Sequence, residues 1–547
     1  MLPLLLLACE GPPNPETKDP GPSTDTVVVA GPTLPRNALV PFARGEGDGL
    51  LADALQVPLM DSSFDCGLIH GGGVAQSWTF GEDGRSLTVN LRPDLNWEDG
   101  TPVTAQDFLL GWQVAAAGPR AAEVEGVTAK AVDLRTLLFS VPAAGERGRM
   151  LAKVAWLAAL PAHRYGPANL TPASLRDHPL NTRAPLSYGP WRVARWDQEL
   201  VLEPQLKAPF DWQPHLAQVI FRELPEADAR ILALERGEVD VVSDLRRADI
   251  DRLQAQDLPI VLRHRGLRTL DFIPWNFVSG NPALQDPNVR TALAEATDLD
   301  GLLQREFTTK AGDRLGRPSS GSLSPSLCRS HADELRRLPH DLVAAKALLA
   351  TSGWIDTNGD GKVDRGGEVL RLRVIAYAGN ERHLEILRAL QQDWAGIGVE
   401  LVIDSLERDA WPGRLSSHDW DGALLAWNAA LVPDLASVWA PDGAFNLGGY
   451  QDPAITAQIQ AEVAETDPAR AIELRHDLQR RIYEIQPALF LFWNDEVVGL
   501  QSRIQDAEVD LLSPLDHLSR WWVPEGKVLR NADGSLRPKA ETAASGH

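Results

Sequence analysis

The stretch VAQSWTFGEDGRSLTVNLRPDLNWEDGTPVTAQDFLLGW, Val74 to Trp112, decides how the whole chain is read. Within it Ser86-Leu87-Thr88-Val89-Asn90-Leu91-Arg92 places an apolar side chain at every second position, as a strand with one buried face does. A turn at Glu82-Asp83-Gly84 joins that strand to Val74–Phe80, and the pair predicts a β-hairpin. A second turn, Trp97-Glu98-Asp99-Gly100-Thr101-Pro102, is followed by Thr104 and Asp107. A threonine at the N-cap and an acid in the first turn both suit the positive end of a helix, and Phe108, Leu109, Leu110 and Trp112 give that helix an apolar face.

Outward from this stretch, Ala227–Asp240 predicts a helix that ends at Gly237, the left-handed position, with Val239, Val241 and Val242 opening a buried strand. Farther on, Leu370–Ile375 is strand-like, and His383–Ala395 repeats Leu384, Leu387, Leu390 and Trp394 at helical spacing. Val399–Ile403 is strand-like again. Strand, helix and strand at these lengths form a βαβ unit, so the fold class is α/β with a partly parallel sheet.

A chain of 547 residues holds about three folding units at roughly 100–200 residues each, enough for a buried core without disulfide staples. Its net charge of −22 offers no positive field for a phosphate backbone, which argues against nucleic acid as a partner. No segment reaches the roughly 20 apolar residues of a membrane-spanning helix.

Val74–Trp112 resembles the signature of the peptide/nickel-type solute-binding proteins of ABC importers, family 5. The order is the same: Ala-x-Ser-Trp, an Asp-Gly hairpin, a Leu-Arg strand with a following Trp, then Asp-Gly-x-Pro-Val-Thr-Ala-x-Asp opening a helix. Ser187–Val193, which departs from the family's turn at Ser187 and Trp191, and Ala227–Asp240, Phe272–Asn276, Asp286–Leu293, Ala344–Leu349 and Gly353-Trp354 also resemble that family in order. The resemblance implies a type II periplasmic-binding-protein-like fold, in which two α/β lobes are joined by a two-segment hinge near Leu270–Trp275 and Ala488–Trp493. Lobe I would comprise 36–55, 185–269 and 495–523, with an inserted subdomain over 56–184. Lobe II would be 270–494, and 524–547 a disordered polar tail.

The apolar run that ends Leu6-Leu7-Ala8-Cys9 resembles a bacterial lipoprotein signal, in which Cys9 becomes the lipidated first residue. Only eight residues precede Cys9 and none is basic, so the expected n-region would lie upstream of Met1. The Pro-, Gly- and Thr-rich residues after it have the composition of a solvated tether, giving 1–35 as signal and tether. In an oxidising compartment Cys66 and Cys328 could pair or stay free thiols.

The family implication is an extracytoplasmic, lipid-anchored monomer that captures a peptide-like or oligosaccharide solute and delivers it to an ABC permease. A ligand sensor or folding accessory on the same scaffold is the alternative. No catalytic constellation is present, so no enzymatic activity and no cofactor are expected. Asp356, Asn358, Asp360 and Asp364 are spaced like a calcium loop, but position twelve is Gly367 rather than Glu; a turn rich in Asx and Gly is the favoured reading and metal the minor one.

Seventeen Trp stand against five Tyr. Trp427-Asn428 and Trp493-Asn494 fall on strands that the resemblance places along the cleft, where Trp gives rigid contact area, though core packing is the competing role. Trp275-Asn276 matches the end of the crossing strand. Peptide binders of the family hold the peptide α-ammonium with an Asp three residues after the Trp; here that residue is Ala430, and Asp434, four farther on, is a candidate ligand contact that could substitute only with a rearranged loop. This departure implies that the usual ammonium clamp is not used.

Overall fold

The structure is a computed structural model that describes residues 25–39, 42, 46–60, 73–142, 147–165, 171–205, 213–243, 245–327, 330–428, 435–443, 445–509, 513–515, 518–527, 530 and 536. The chain enters the fold earlier than its composition suggests. β1 (Thr26–Gly31) runs through the middle of the largest sheet, and its Val27 and Val29 pack into one apolar cluster while Val28 and Ala30 pack into another. Both faces of this strand are buried, so Val27–Ala30 reads as a continuous apolar run. The expectation of a tether as far as residue 35 therefore fails at Thr26–Gly31; flanking Pro and Gly disguise a central strand.

After a helix at Glu46–Leu55 the chain builds the inserted subdomain: β2 (Ala75–Phe80), β3 (Ser86–Leu91), β4 (Thr128–Ala131) and β5 (Thr136–Ser140), an antiparallel sheet in the order β2-β3-β5-β4. Phe80 pairs with Leu87 as the hairpin requires, and Leu87, Val89 and Leu91 are all buried. The predicted helix is Ala105–Ala117; Asp107 accepts the Thr104 N–H at 2.8 Å and its hydroxyl at 2.9 Å. This subdomain has its own core around Trp97, Phe108, Phe139 and Tyr188.

The chain returns to the large sheet through β6 (Trp191–Trp196), β7 (Glu199–Pro204), β8 (Gln218–Glu223) and β9 (Val241–Val242). β1 lies parallel to β8 and β9, and Gly237 takes φ +70° before β9, as the sequence demands of it. The long β10 (Ile260–Pro274) then leads into the second lobe. That lobe contains β11 (Gly316–Pro318), the small hairpin of β12 (Asp364–Arg365) and β13 (Glu368–Val369), β14 (Arg371–Tyr377), β15 (Glu400–Leu406), β16 (Gly422–Ala423) and β17 (Leu425–Asn428). β14 is parallel to both β15 and β16, and the helix Glu381–Ala395 connects β14 to β15, the expected βαβ unit.

β18 (Ala488–Gln501) closes the fold by running antiparallel to β10 along nearly its whole length. The ladder between them breaks register between His264 and Leu267, again before Thr269, and again after Asp271, with Gly266 at φ +95°. Bulges of this kind loosen and bend a strand pair where two bodies meet. They begin a few residues before the crossing expected at Leu270–Trp275. The tail is not wholly solvated either: Arg530 is 1% exposed, and its Nε reaches Asp240 at 2.8 Å. No helix among the described residues is long and apolar enough to cross a membrane.

Candidate functional site

Parallel strands leave the carboxyl ends of their ladders open, and in α/β proteins ligands bind in the crevice outside those ends. Here β1 ends at Gly31 in lobe I, while β14 and β15 end at Tyr377 and Leu406 in lobe II. A cavity of about 690 Å³ lies at the end of β1. It is lined by Val29, Ala30 and Phe221, by the wall of the loop Pro32–Asn37, and by Arg176, Asp177 and Thr182. Arg408, just beyond β15, lines it from the second lobe. The volume sits within the roughly 300–1,000 Å³ usual for small-molecule sites.

The Pro32–Asn37 wall is held from several directions. Asp48 accepts the N–H groups of Arg36 at 2.6 Å and Asn37 at 3.2 Å, and the Asn37 side chain donates to the Arg176 carbonyl at 2.7 Å. Leu224 N–H donates to the Gly31 carbonyl at 2.9 Å, and the Trp196 indole donates to the Pro35 carbonyl at 3.2 Å. A loop so tied at both flanks presents its outward groups in fixed positions.

Of the residues singled out from sequence, four come together on neighbouring rungs. Leu270 of β10 pairs with Trp427 on one side and Trp493 on the other, and Thr269 likewise pairs with Asn428 and Asn494. The environments then diverge. Trp427 is half-buried beside Phe272 and Phe445, both with ring centroids 6.4 Å away, and Asn428 is exposed, accepting the Thr269 hydroxyl at 2.8 Å. β17 is the terminal strand of its sheet, so its second edge carries no strand among the described residues.

Trp493 is 1% exposed within an apolar cluster, and Asn494 is buried, donating to Asp271 at 2.9 Å. Trp275 is fully buried with its ring 6.1 Å from that of Trp394, and Asn276 braces the chain by donating to the carbonyls of His418 and Trp420, each at 2.7 Å. Expected as ligand contacts, these four are packing and bracing residues in this conformation, because alternation cannot reveal the solvent side of a strand whose two faces are both covered. Among the described residues seven tryptophans are essentially inaccessible: Trp97, Trp191, Trp275, Trp394, Trp420, Trp493 and Trp521. Asp434 and Ala430 lie outside the described residues, as do Cys9, Cys66 and Cys328.

The calcium-like loop is built as successive Asx turns. Asp356 accepts the N–H groups of Gly359 and Gly361, Asn358 that of Asp360, and Asp360 that of Lys362. Asp364 points elsewhere, to the Thr357 hydroxyl and N–H, and these bonds hold its carboxyl below the usual range. Among the described residues no group of three His, Cys, Asp or Glu side chains is placed to hold a metal ion.

At the crossing of the strands, Asp271 is fully buried and faces His383 at 3.1 Å, Arg382 at 3.5 Å and Asn494. Burial alone would raise its pKa, but the Arg382 charge and the His383 and Asn494 contacts outweigh it, and the net direction is down. This carboxylate ties the start of the Glu381–Ala395 helix to both crossing strands. Beside it Arg265 meets Glu496 at 2.8 Å, and a Glu496 carboxylate oxygen lies 3.2 Å from the Thr269 hydroxyl.

The residues that line the cavity were not anticipated from sequence. The one available signal was Gly31-Pro32 directly after a four-residue apolar run, which marks the end of a buried strand.

Comparison with known proteins agrees with this architecture. Residues 71–448 match the family model of bacterial extracellular solute-binding proteins, family 5. The oligopeptide-binding protein AppA of Bacillus subtilis is 21% identical over 468 residues, 81% of each chain, and the oligopeptide-binding protein OppA of Lactococcus lactis is 24% identical over 477 residues, 77% of each. The structure of Bacillus subtilis AppA in complex with a nonapeptide superposes with a TM-score of 0.75 at 20% identity, covering 92% of this chain and 99% of that one. With its fold and the order of its motifs in agreement, the chain belongs to the family 5 extracellular solute-binding proteins, the ligand-capturing components of ABC importers rather than enzymes.

Proposed function

We propose that this protein captures an oligopeptide or similar solute between its lobes and presents it to an ABC permease, held at the membrane through a lipid on Cys9. The observation that carries this reading is the cavity at the end of β1, to which the first lobe, the inserted subdomain and Arg408 of the second lobe all contribute. A ligand touching both lobes gains contacts only when they close, so it shifts the population toward the closed form by its differential affinity. The open edge of β17 supports a peptide in particular, since an extended backbone can add to such an edge while alternate side chains enter pockets. Trp427 and Asn428 are the residues of that edge proposed to meet the ligand.

Ala430 leaves no carboxylate at the family's ammonium-binding offset. A buried ammonium without a counter-charge is costly, so the amino terminus of the cargo is proposed to stay solvated or blocked. Calorimetry with matched free-amine and N-acetylated oligopeptides tests both points: binding of each with similar affinity is expected. Strict dependence on the free amine would overturn the ammonium proposal, and failure of every oligopeptide would overturn the peptide reading.

A further inference from the structure

We infer that Arg36 of the first lobe and Arg408 of the second form a two-sided clamp for an acidic group of the cargo; this rests on the reading of the cavity as the capture site. Among the described residues the cavity is lined by four arginines, Arg36, Arg176, Arg222 and Arg408, and by two acids, Asp48 and Asp177. It is a positive pocket in a protein of net charge −22.

The acids do not cancel all four cations. Asp177 binds Arg176 through two bonds, at 2.8 and 2.6 Å. Arg222 is held by Glu199 at 2.8 Å and donates to the Glu238 carbonyl at 3.3 Å. Asp48 accepts the backbone N–H groups of Arg36 and Asn37. Among the described residues no ion pair or hydrogen bond joins the Arg36 or Arg408 guanidinium to a carboxylate; the Arg408 guanidinium lies over the Tyr377 ring, 5.7 Å from its centroid.

Two exposed cations on opposite lobes, lining one cavity and without a carboxylate partner among the described residues, would repel each other if closure brought them together. An anion between them reverses the sign of that interaction, and bidentate guanidinium–carboxylate bonds then exist only when both lobes contribute. Acidic cargo would in this way be coupled to closure, while neutral cargo would leave the repulsion in place. The strongly negative outer surface does not oppose this, because exposed charges more than about 10 Å away are largely screened at 0.1 M salt.

The test is titration calorimetry on the full chain with three probes: an alanyl tripeptide carrying two aspartates, its counterpart carrying two asparagines, and citrate. Each is titrated into the wild type, Arg36→Gln, Arg408→Gln and the double variant, with circular dichroism and melting temperature confirming folding. Expected is at least tenfold tighter binding of the diacidic peptide, abolished by either single variant and lost little further in the double. Equal affinity for the two peptides, or a preference that survives the double variant, overturns the clamp while leaving peptide capture intact. If neither peptide binds but citrate does so in an arginine-dependent manner, the clamp stands and the peptide reading falls.

Discussion

The two ends of β1 handle charge in opposite ways. At its start Asp25, Asp240, Arg503 and Arg530 are buried together and saturate one another: Arg503 reaches both carboxylates, Arg530 binds Asp240 at 2.8 Å, and Asp240 also accepts the Val28 N–H at 2.8 Å. Beyond its other end Arg36 and Arg408 line a water-accessible cavity, and among the described residues neither guanidinium has a carboxylate partner. The first arrangement fastens residues distant in sequence into one lobe and leaves nothing to bind. The second leaves charge uncompensated where a ligand can supply the partner. One strand thus separates a structural knot from a capture site, and burial with full pairing, rather than charge content, tells them apart.

The largest expected effect comes from breaking the knot. Asp240→Ala strands two buried guanidiniums and should cost about 3–5 kcal/mol of folding stability, read as a fall in the denaturant midpoint. A loss below about 1 kcal/mol would show that water reaches these arginines. At the other end of the strand, Arg36→Gln should leave the melting temperature within the small range of a surface substitution while weakening the diacidic tripeptide about tenfold.

Asp271 lies between these extremes, buried yet at the crossing of the lobes. Its pKa is lowered in the folded state, so its stabilising contribution is present above the ordinary carboxylate range, near pH 4, and is lost as pH falls below it. Acid melting curves should therefore steepen below about pH 4 in the wild type, and Asp271→Asn should flatten that limb. Identical limbs would remove Asp271 from the account. The smallest effect is that of salt: from about 0.1 to about 1 M the Debye length falls from about 10 to about 3 Å, which should weaken tripeptide binding and leave the buried knot's contribution nearly unchanged.

Much of the scaffold was legible in the sequence because it depends on local chemistry. Thr104 and Asp107 mark a helix start by spacing alone, Gly237 a positive φ, and Leu384, Leu387, Leu390 and Trp394 a helix face. Strands buried on both faces were harder. Val27–Ala30 looked like tether because its neighbours are Pro, Gly and Thr, and Trp275 and Trp493 looked like cleft residues because period two cannot say which side is open. The cavity was not legible. Arg36, Arg176, Arg222 and Arg408 come from four separated segments, and what sets Arg36 and Arg408 apart is that neither has a carboxylate partner among the described residues, a property only the fold creates.

The central claim, that a solute is enclosed between the two lobes, is tested most directly by small-angle X-ray scattering of the full chain with and without saturating diacidic tripeptide. A smaller radius of gyration on binding is predicted, because the ligand bridges both lobes. Binding at calorimetric saturation with an unchanged radius of gyration would contradict the account.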